Sequence, residues 1–295
     1  MTKKQSILLF GKNIEPETIE IYATIAQQVL ARDCDVLVLP ELFAILSQHE
    51  SFSSIRITRF DGQSAVSGAV AMLCVGGDGT FLEAARMTLG TDIPLMGINR
   101  GRLGFLADVA PEQISEALDM LFSGRFRLAT LDVLSLYVND SRESVDYAVN
   151  EFAVTKCDNA SMLTIHAYVD GEFLTTYWAD GLIVATAAGS TAYSLSVGGP
   201  IVSPQAANLV ITPVAPHNLS LRPLVLPSSS VIQLRVEGRG TSILTSLDGR
   251  NHIMDSGCQL RIAKTPMGVK VVQLTNHSFF AALREKLKWG ADARN

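Results

Sequence analysis

The residues best suited to chemistry lie in one short turn, Gly76-Gly77-Asp78-Gly79-Thr80. An apolar run at 70–75 precedes it and a helical pattern at 80–87 follows. Glycines at a strand-to-helix turn let the backbone bend sharply and let a phosphate approach with no Cβ in the way. Gly76, Gly77, Gly79 and Thr80 are therefore the candidate phosphate-binding residues. Thr80 and Glu83 fit a T-x-x-E capping box, which would start the helix there and leave free N–H groups facing an anion. A carboxylate inside such a turn repels phosphate. Asp78 is better suited to touching a hydroxyl or helping to hold a cation. The plain alternative is a Gly-Asp-Gly turn with no ligand. Neither G-x-x-x-x-G-K-[ST] nor G-x-G-x-x-G is present, because Leu82 stands where the latter needs its third glycine.

Two further groups carry weaker signals. Asn150-Glu151 ends a strand-like run, and an amide beside a carboxylate can read both a base edge and ribose hydroxyls. Residues 180–186, Asp-Gly-Leu-Ile-Val-Ala-Thr, lead into 187–194, Ala-Ala-Gly-Ser-Thr-Ala-Tyr-Ser. An acidic turn, a buried strand and a hydroxyl-rich loop could hydrogen-bond ribose or phosphate without adding charge. A structural loop fits that stretch as well. No Asp, Glu, Lys or Arg occurs from residue 181 to residue 221. Pro200, Pro204, Pro213, Pro216, Pro223 and Pro227 crowd the same region, which excludes a long helix. Buried strands with rigid loops, or a ligand cleft and subunit interface, fit equally well.

The elements that must position these residues change character along the chain. Up to residue 125, apolar runs at 7–10, 36–39, 70–75 and 94–98 alternate with helical spacings that start near Pro16, Thr80 and Pro111. Continuous apolar strands alternating with helices predict a parallel sheet covered on both faces. From residue 126 to 275 short β-rich runs follow one another, with Asp170-Gly171 as a hairpin signal. The expected architecture is an α/β domain with a parallel sheet at 1–125 and a β-rich domain at 126–275. Helical spacing returns at 279–289, and a C-terminal helix within 276–295 is expected to pack back on the first domain.

Composition narrows the function classes. Over 295 residues, 47% are apolar, an ordinary globular value. Only 18% are charged, against about 25% in typical soluble proteins, so extra surface is expected to be buried, as between subunits. A net charge of −5 offers little counterion release, which excludes generic nucleic-acid binding. Cys34, Cys74, Cys157 and Cys258 form no C-x-x-C pair, and the five histidines show no H-E-x-x-H spacing. The apolar run at 7–10 is too short for a signal-peptide core, and no stretch of about 20 apolar residues exists to span a membrane. A cytoplasmic protein with no membrane or nucleic-acid partner is expected.

Taken together, these stretches resemble the bacterial-type NAD kinases. The resemblance rests on GGDGT (76–80), GINRGRLGFL (97–106), Asn150-Glu151, DGLIVATAAGSTAYSLSVGGPIV (180–202), LSLRPLVLP (219–227) and SLDGR (246–250), in the family's order. GGDGT alone is shared with lipid kinases; the whole set is far more specific. The resemblance implies phosphorylation of the adenosine-ribose 2′-hydroxyl of NAD by ATP, with a divalent cation such as Mg2+ arriving with the ATP. It implies that Asp78 accepts the proton, with Gly79 beside it. It places Asn150, Glu151, Asp180, Thr191, Ala192, Tyr193, Ser194, Leu195 and Ser196 against NAD, and Ser161, Trp178, Ala188 and Arg250 at variable positions near it. Relatives commonly read T-P-T-G-S-T-A-Y where this chain has Ala187-Ala188, so a threonine hydroxyl is lost at Ala188. Trp178 is aromatic where some relatives carry a cation, which bears on NAD against NADH. The family implies a homo-oligomer, dimer or tetramer, whose sites are shared between subunits. A lipid kinase using the same turn, and a sensor that binds NAD(P) without transfer, stand as alternatives.

Overall fold

The computed structural model describes residues 4–12, 14–60, 68–139, 141–143, 145–157, 162–238, 242–276 and 278–290. The chain divides into two units, Met1–Thr130 with Val269–Asn295, and Leu131–Gly268. The first unit runs β1 (Ser6–Gly11), α1 (Pro16–Leu30), β2 (Asp35–Val38), α2 (Pro40–Leu46), β3 (Thr58–Arg59), β4 (Ala69–Val75), α3 (Asp78–Thr88), β5 (Leu95–Ile98), α4 (Ile114–Phe122) and β6 (Phe126–Leu131). The second runs β7 (Leu134–Val138), β8 (Asp146–Ala148), β9 (Glu151–Lys156), β10 (Leu163–Val169), β11 (Glu172–Ala179), β12 (Gly181–Thr186), α5 (Tyr193–Ser196), β13 (Asn208–Val214), β14 (Leu224–Pro227), β15 (Ile232–Glu237), β16 (Ser242–Leu247), β17 (Arg250–Asp255) and β18 (Gln259–Lys264). The chain then returns to the first unit as β19 (Val269–Leu274) and α6 (Phe279–Leu287).

The first unit holds a seven-stranded sheet in the order β3-β2-β1-β4-β5-β19-β6. β1 pairs in parallel with β2 and β4, and β5 pairs in parallel with β4 and β19. Ile7, Leu8, Leu9 and Phe10 are all buried, so both faces of the sheet are covered, as their unbroken apolar run requires. α1 opens on Pro16, whose missing N–H would be unpaired in a first turn anyway. Its apolar residues recur at helical spacing, and Ile19, Tyr22, Ala23, Ala26 and Val29 all join the core.

Two expectations about this unit need correction. The domain bounds 126–275 place β6 and β19 in the β-rich domain, yet both strands belong to the first sheet. Hydrophobic period identifies a strand but not the sheet it joins. In β19 the adjacent Val271 and Val272 are both buried, the mark of a strand covered on both sides. The T-x-x-E capping box does not form either. α3 begins at Asp78, two residues earlier, with Gly77 as an extended N-cap that makes no side-chain cap bond. Phe81 N–H donates to the Gly77 carbonyl at 3.0 Å to close the first turn, and Glu83 pairs instead with Lys12 at 2.8 Å.

The second unit contains two six-stranded antiparallel sheets, β11-β10-β15-β18-β7-β8 and β14-β13-β12-β9-β16-β17. Their inner faces share one apolar core, in which Leu136, Ile165, Leu234 and Ile262 of one sheet meet Phe152, Val184, Ile211 and Leu247 of the other. Asp170 and Gly171 both adopt positive φ (53° and 86°) in the two-residue turn between β10 and β11, as the Asp-Gly signal predicts. Every residue of β12 is buried. Its side chains alternate between the shared core and a smaller apolar cluster of Ala153, Ile183 and Ala185, against which Val197 packs.

Candidate active site

The chemistry of a turn depends on where its acid points, and Asp78 points away from the helix it begins. Its Oδ1 accepts the backbone N–H groups of Leu106 (3.0 Å) and Ala107 (3.1 Å), and its Oδ2 accepts that of Phe105 (3.1 Å). Two glycines allow the loop to come this close. A Cβ on Gly104 would lie 2.1 Å from Asp78 Oδ1, and one on Gly97 would lie 2.6 Å from Ala107 Cα. Lys286, from α6, donates to Asp78 Oδ2 at 2.9 Å. Its ammonium also stands 4.5 Å from the centre of the Phe105 ring. Burial pushes the Asp78 carboxyl up, but the bonds from Lys286, Leu106 and Phe105 outweigh it and hold the group below the ordinary carboxylate value. Asp78 is therefore an ionised, fixed acceptor. Around it, Cβ atoms on Gly77 and Gly79 would meet nothing within 4 Å, so these glycines leave open space beside the acid. Thr80 instead packs its side chain against Gly76, where a Cβ would lie 2.4 Å from Oγ1.

The second group of expected residues lies in the second unit and is also organised by a carboxylate. Asp248, in the Asp-Gly turn between β16 and β17, accepts the backbone N–H groups of Val149 (2.7 Å), Asn150 (2.8 Å) and Glu151 (3.1 Å). The same segment is held from its carbonyl side. Thr186 Oγ1 donates to the Val149 carbonyl at 2.6 Å, and Thr186 N–H donates to the Asn150 carbonyl at 2.8 Å. Gly189 sits so near that a Cβ there would lie 2.0 Å from the Asn150 carbonyl oxygen. Thus clamped, the segment presents two acceptors. Asn150 Oδ1 and Glu151 Oε2 are buried and, among the described residues, have no hydrogen-bond partner. An unmet buried acceptor costs about 1–3 kcal/mol, which a ligand bearing N–H or O–H donors would relieve. Burial, reinforced by the nearby Asp248 charge, pushes the Glu151 carboxyl up to about 7, while the Tyr193 backbone N–H pulls it down.

The remaining expected residues are placed as follows. Most hydroxyls of the Gly-Ser-Thr segment are committed to the chain itself. Ser190 Oγ donates to the Ala187 carbonyl at 2.7 Å and accepts from Val202 N–H at 2.9 Å. Ser194 Oγ and Thr212 Oγ1 bond to each other at 2.8 Å. Thr191 Oγ1 donates to the Ala188 carbonyl at 3.2 Å. Ala188 is buried, Ala192 and Leu195 are half-buried, and Tyr193 and Ser196 are exposed. Asp180 pairs with Lys156 at 2.8 Å, and Trp178, just before it, is exposed. Arg250 is committed to Asp146 (Nε to Oδ2, 3.1 Å) and to the Tyr147 carbonyl. Ser161 lies outside the described residues. Among the described residues no group of three or more His, Cys, Asp and Glu could hold a metal ion. The donors around Asp78 are all N–H groups, which suit an anion and not a cation. Sequence reading does not single out Asp248 or Lys286, and it holds Thr186 only as the last residue of the 180–186 stretch. The first lies within the SLDGR stretch, but nothing in the sequence ties Lys286 to a turn so far upstream.

Comparison with known proteins bears on the whole chain. The pattern of the ATP-NAD kinase N-terminal domain matches residues 7–126, and that of the ATP-NAD kinase C-terminal domain matches residues 149–274. The NAD kinase of Flavobacterium psychrophilum is 40% identical over 293 residues, covering 98% of this chain and 99% of that one. The NAD kinase of Cytophaga hutchinsonii is 45% identical over 240 residues, 81% of this chain and 82% of that one. Yeast NADH kinase, solved with NADH, superposes with a TM-score of 0.88 at 25% identity, over 99% of this chain and 89% of that one. An NAD kinase from Archaeoglobus fulgidus, solved with ATP, shares the fold at a TM-score of 0.73 and 23% identity, over 96% and 98%. From its first strand to its last, this chain belongs to the ATP-NAD kinase family.

Proposed function

We propose that the protein is an NAD kinase that moves the γ-phosphoryl group of ATP to the 2′-hydroxyl of the adenosine ribose of NAD, giving NADP. Beside the family membership, the observation that carries this reading is the Asp78 carboxylate, kept ionised by N–H donors next to glycines that leave room for a phosphate. The 2′-oxygen attacks the γ-phosphorus while the bond from that phosphorus to the β–γ bridging oxygen breaks. ADP leaves with that electron pair, and the hydroxyl proton passes to Asp78. A carboxylate held below its ordinary value is a weak base, so its larger task is to orient the hydroxyl. That suffices for a loose phosphoryl-transfer transition state, where proton removal comes late. Asn150 and Glu151 offer the unmet acceptors for donors on the dinucleotide, with Asp180 and residues 191–196 lining the same ligand.

The donor ATP is expected to bring its own divalent cation, Mg2+ being the ordinary one. Homo-oligomerisation, as a dimer or tetramer, is supported by the charge-free stretch 181–221. A cytoplasmic location is supported by four free cysteines, of which Cys157 is exposed. Among the described residues no helix is long and apolar enough to cross a membrane. The test is incubation with ATP, Mg2+ and either NAD or NADH, with NADP(H) measured by an NADP-specific dehydrogenase. NADP formation is expected. Binding of NAD without turnover would point to a sensor instead, and phosphorylation of a diacylglycerol in its place would point to a lipid kinase. The ratio of NAD to NADH rates, in the native chain and in Trp178→Arg, reads the part Trp178 plays.

A further inference from the structure

The acceptor capacity of Asp78 is full. An ionised carboxylate offers about four lone-pair sites. Here the Leu106 and Ala107 amides occupy Oδ1, and the Phe105 amide and the Lys286 ammonium occupy Oδ2. A substrate hydroxyl can donate to this acid only if one donor leaves. Three of the four are backbone N–H groups of consecutive residues in a loop that the Gly104 N–H to Ala107 carbonyl bond (3.0 Å) closes. They cannot withdraw unless that loop opens. Lys286 is different. It reaches Asp78 on a flexible four-carbon stem, and a third of its side chain is exposed.

We propose that Lys286 is the exchangeable donor: it holds the place of the substrate hydroxyl on Asp78 Oδ2 and, when displaced, pairs with the phosphoryl group being transferred. This rests on the reading of Asp78 as the partner of the 2′-hydroxyl. The ammonium has a second hold close by, since it already lies over the Phe105 ring, and Phe105 packs on Phe279 (ring centres 6.1 Å apart) at the other end of α6. Displacement therefore moves the cation a short way and leaves the helix in place. An oxygen bonded to Asp78 carries the phosphorus one covalent bond further on once the new bond forms, within reach of the same ammonium. The glycine turn contains no lysine of its own, so a residue from the far end of the chain supplies the positive charge that the transferring group needs.

Lys286→Met and Lys286→Arg separate this from a purely structural role. The dissociation constant of NAD, measured without ATP, should stay the same or fall in Lys286→Met, because a competitor for Oδ2 is gone. Its kcat should drop about 10²-fold and its KM for ATP should rise, while Lys286→Arg restores most of the rate. A wild-type kcat in Lys286→Met overturns the proposal. So does weakened NAD binding with the ATP constants unchanged, which is what mere loosening of Asp78 would produce. Failure of the underlying reading shows separately, as an Asp78→Asn variant that keeps its turnover.

Discussion

Asp78 and Asp248 use the same device in two different units. Each carboxylate accepts hydrogen bonds from three consecutive backbone amides, 105–107 in one case and 149–151 in the other. Burial pushes both carboxyl groups up. Around Asp78 the Lys286 ammonium and the amides reverse the direction. Around Asp248 the three amides and the more distant Arg250 do not, and the group stays above its ordinary value. The clearest difference is one directly bonded cation, beside the deeper burial of Asp248. It separates an acid kept charged to face substrate from an acid that serves as a staple, shaping the loop that carries Asn150 and Glu151.

Replacing each acid by asparagine breaks the comparison most sharply. Asp78→Asn should lower kcat by about 10²- to 10⁴-fold with the dissociation constant of NAD nearly unchanged. Steady-state NADP formation and direct NAD titration test this, and an active Asn variant would remove Asp78 from its role. Asp248→Asn keeps an oxygen for two amides and tolerates the positive φ of 48° at that turn, but it turns an N–H group toward the third amide. We expect about 3 kcal/mol of lost stability in urea unfolding and a raised KM for NAD, with kcat little changed. If both variants lost kcat alike, the two carboxylates would not be doing different jobs.

Much of this was legible beforehand, but unevenly. Period and apolar runs gave the parallel sheet and the β-rich unit, because those signals are local. They could not assign β6 and β19 to a sheet, because strand pairing at long range leaves no local mark. Asp78 stood out through its glycines. The hydroxyls of Ser190 and Ser194 suggested ligand contacts, yet both are bonded to the chain itself, since a buried hydroxyl needs a partner wherever it lies. The staple at Asp248 was hidden because its partners are backbone amides, which have no sequence identity.

A pair of glycines sharpens the contrast at smaller amplitude. Gly189→Ala would place a Cβ against the Asn150 backbone, 2.0 Å from its oxygen, and backbone cannot give way cheaply. A loss of about 2–3 kcal/mol is expected, along with weaker NAD binding. Gly79→Ala meets nothing within 4 Å and lies in a helix. There the extra methyl should leave stability equal or raise it by about 0.5–1 kcal/mol, while a methyl in the path of a phosphate raises the KM for ATP. Thermal melts and ATP kinetics on the two variants distinguish room that the fold fills from room left for a ligand.

The last test is a pH dependence, and its sign follows from Glu151. Burial, with the Asp248 charge second, raises its folded value from 4.5 to about 7. Between those two values the folded chain binds the proton more tightly than the unfolded chain does. Stability on this account is greatest below pH ~4.5, falls as pH rises through about 7, and is level above that. Glu151→Gln cannot titrate. Relative to the native chain it should gain about 3 kcal/mol above pH 7 and nothing at the acid end. Asp248→Asn removes both its own raised carboxyl and the charge beside Glu151 but not the burial, so its stability should fall less steeply with pH than that of the native chain. Urea midpoints from pH 4.5 to 8.5 for the three chains give the answer. Parallel curves for the native chain and Glu151→Gln would mean that the Glu151 carboxyl titrates as it does in water, and that the acceptors on this loop are open to solvent rather than reserved for a ligand.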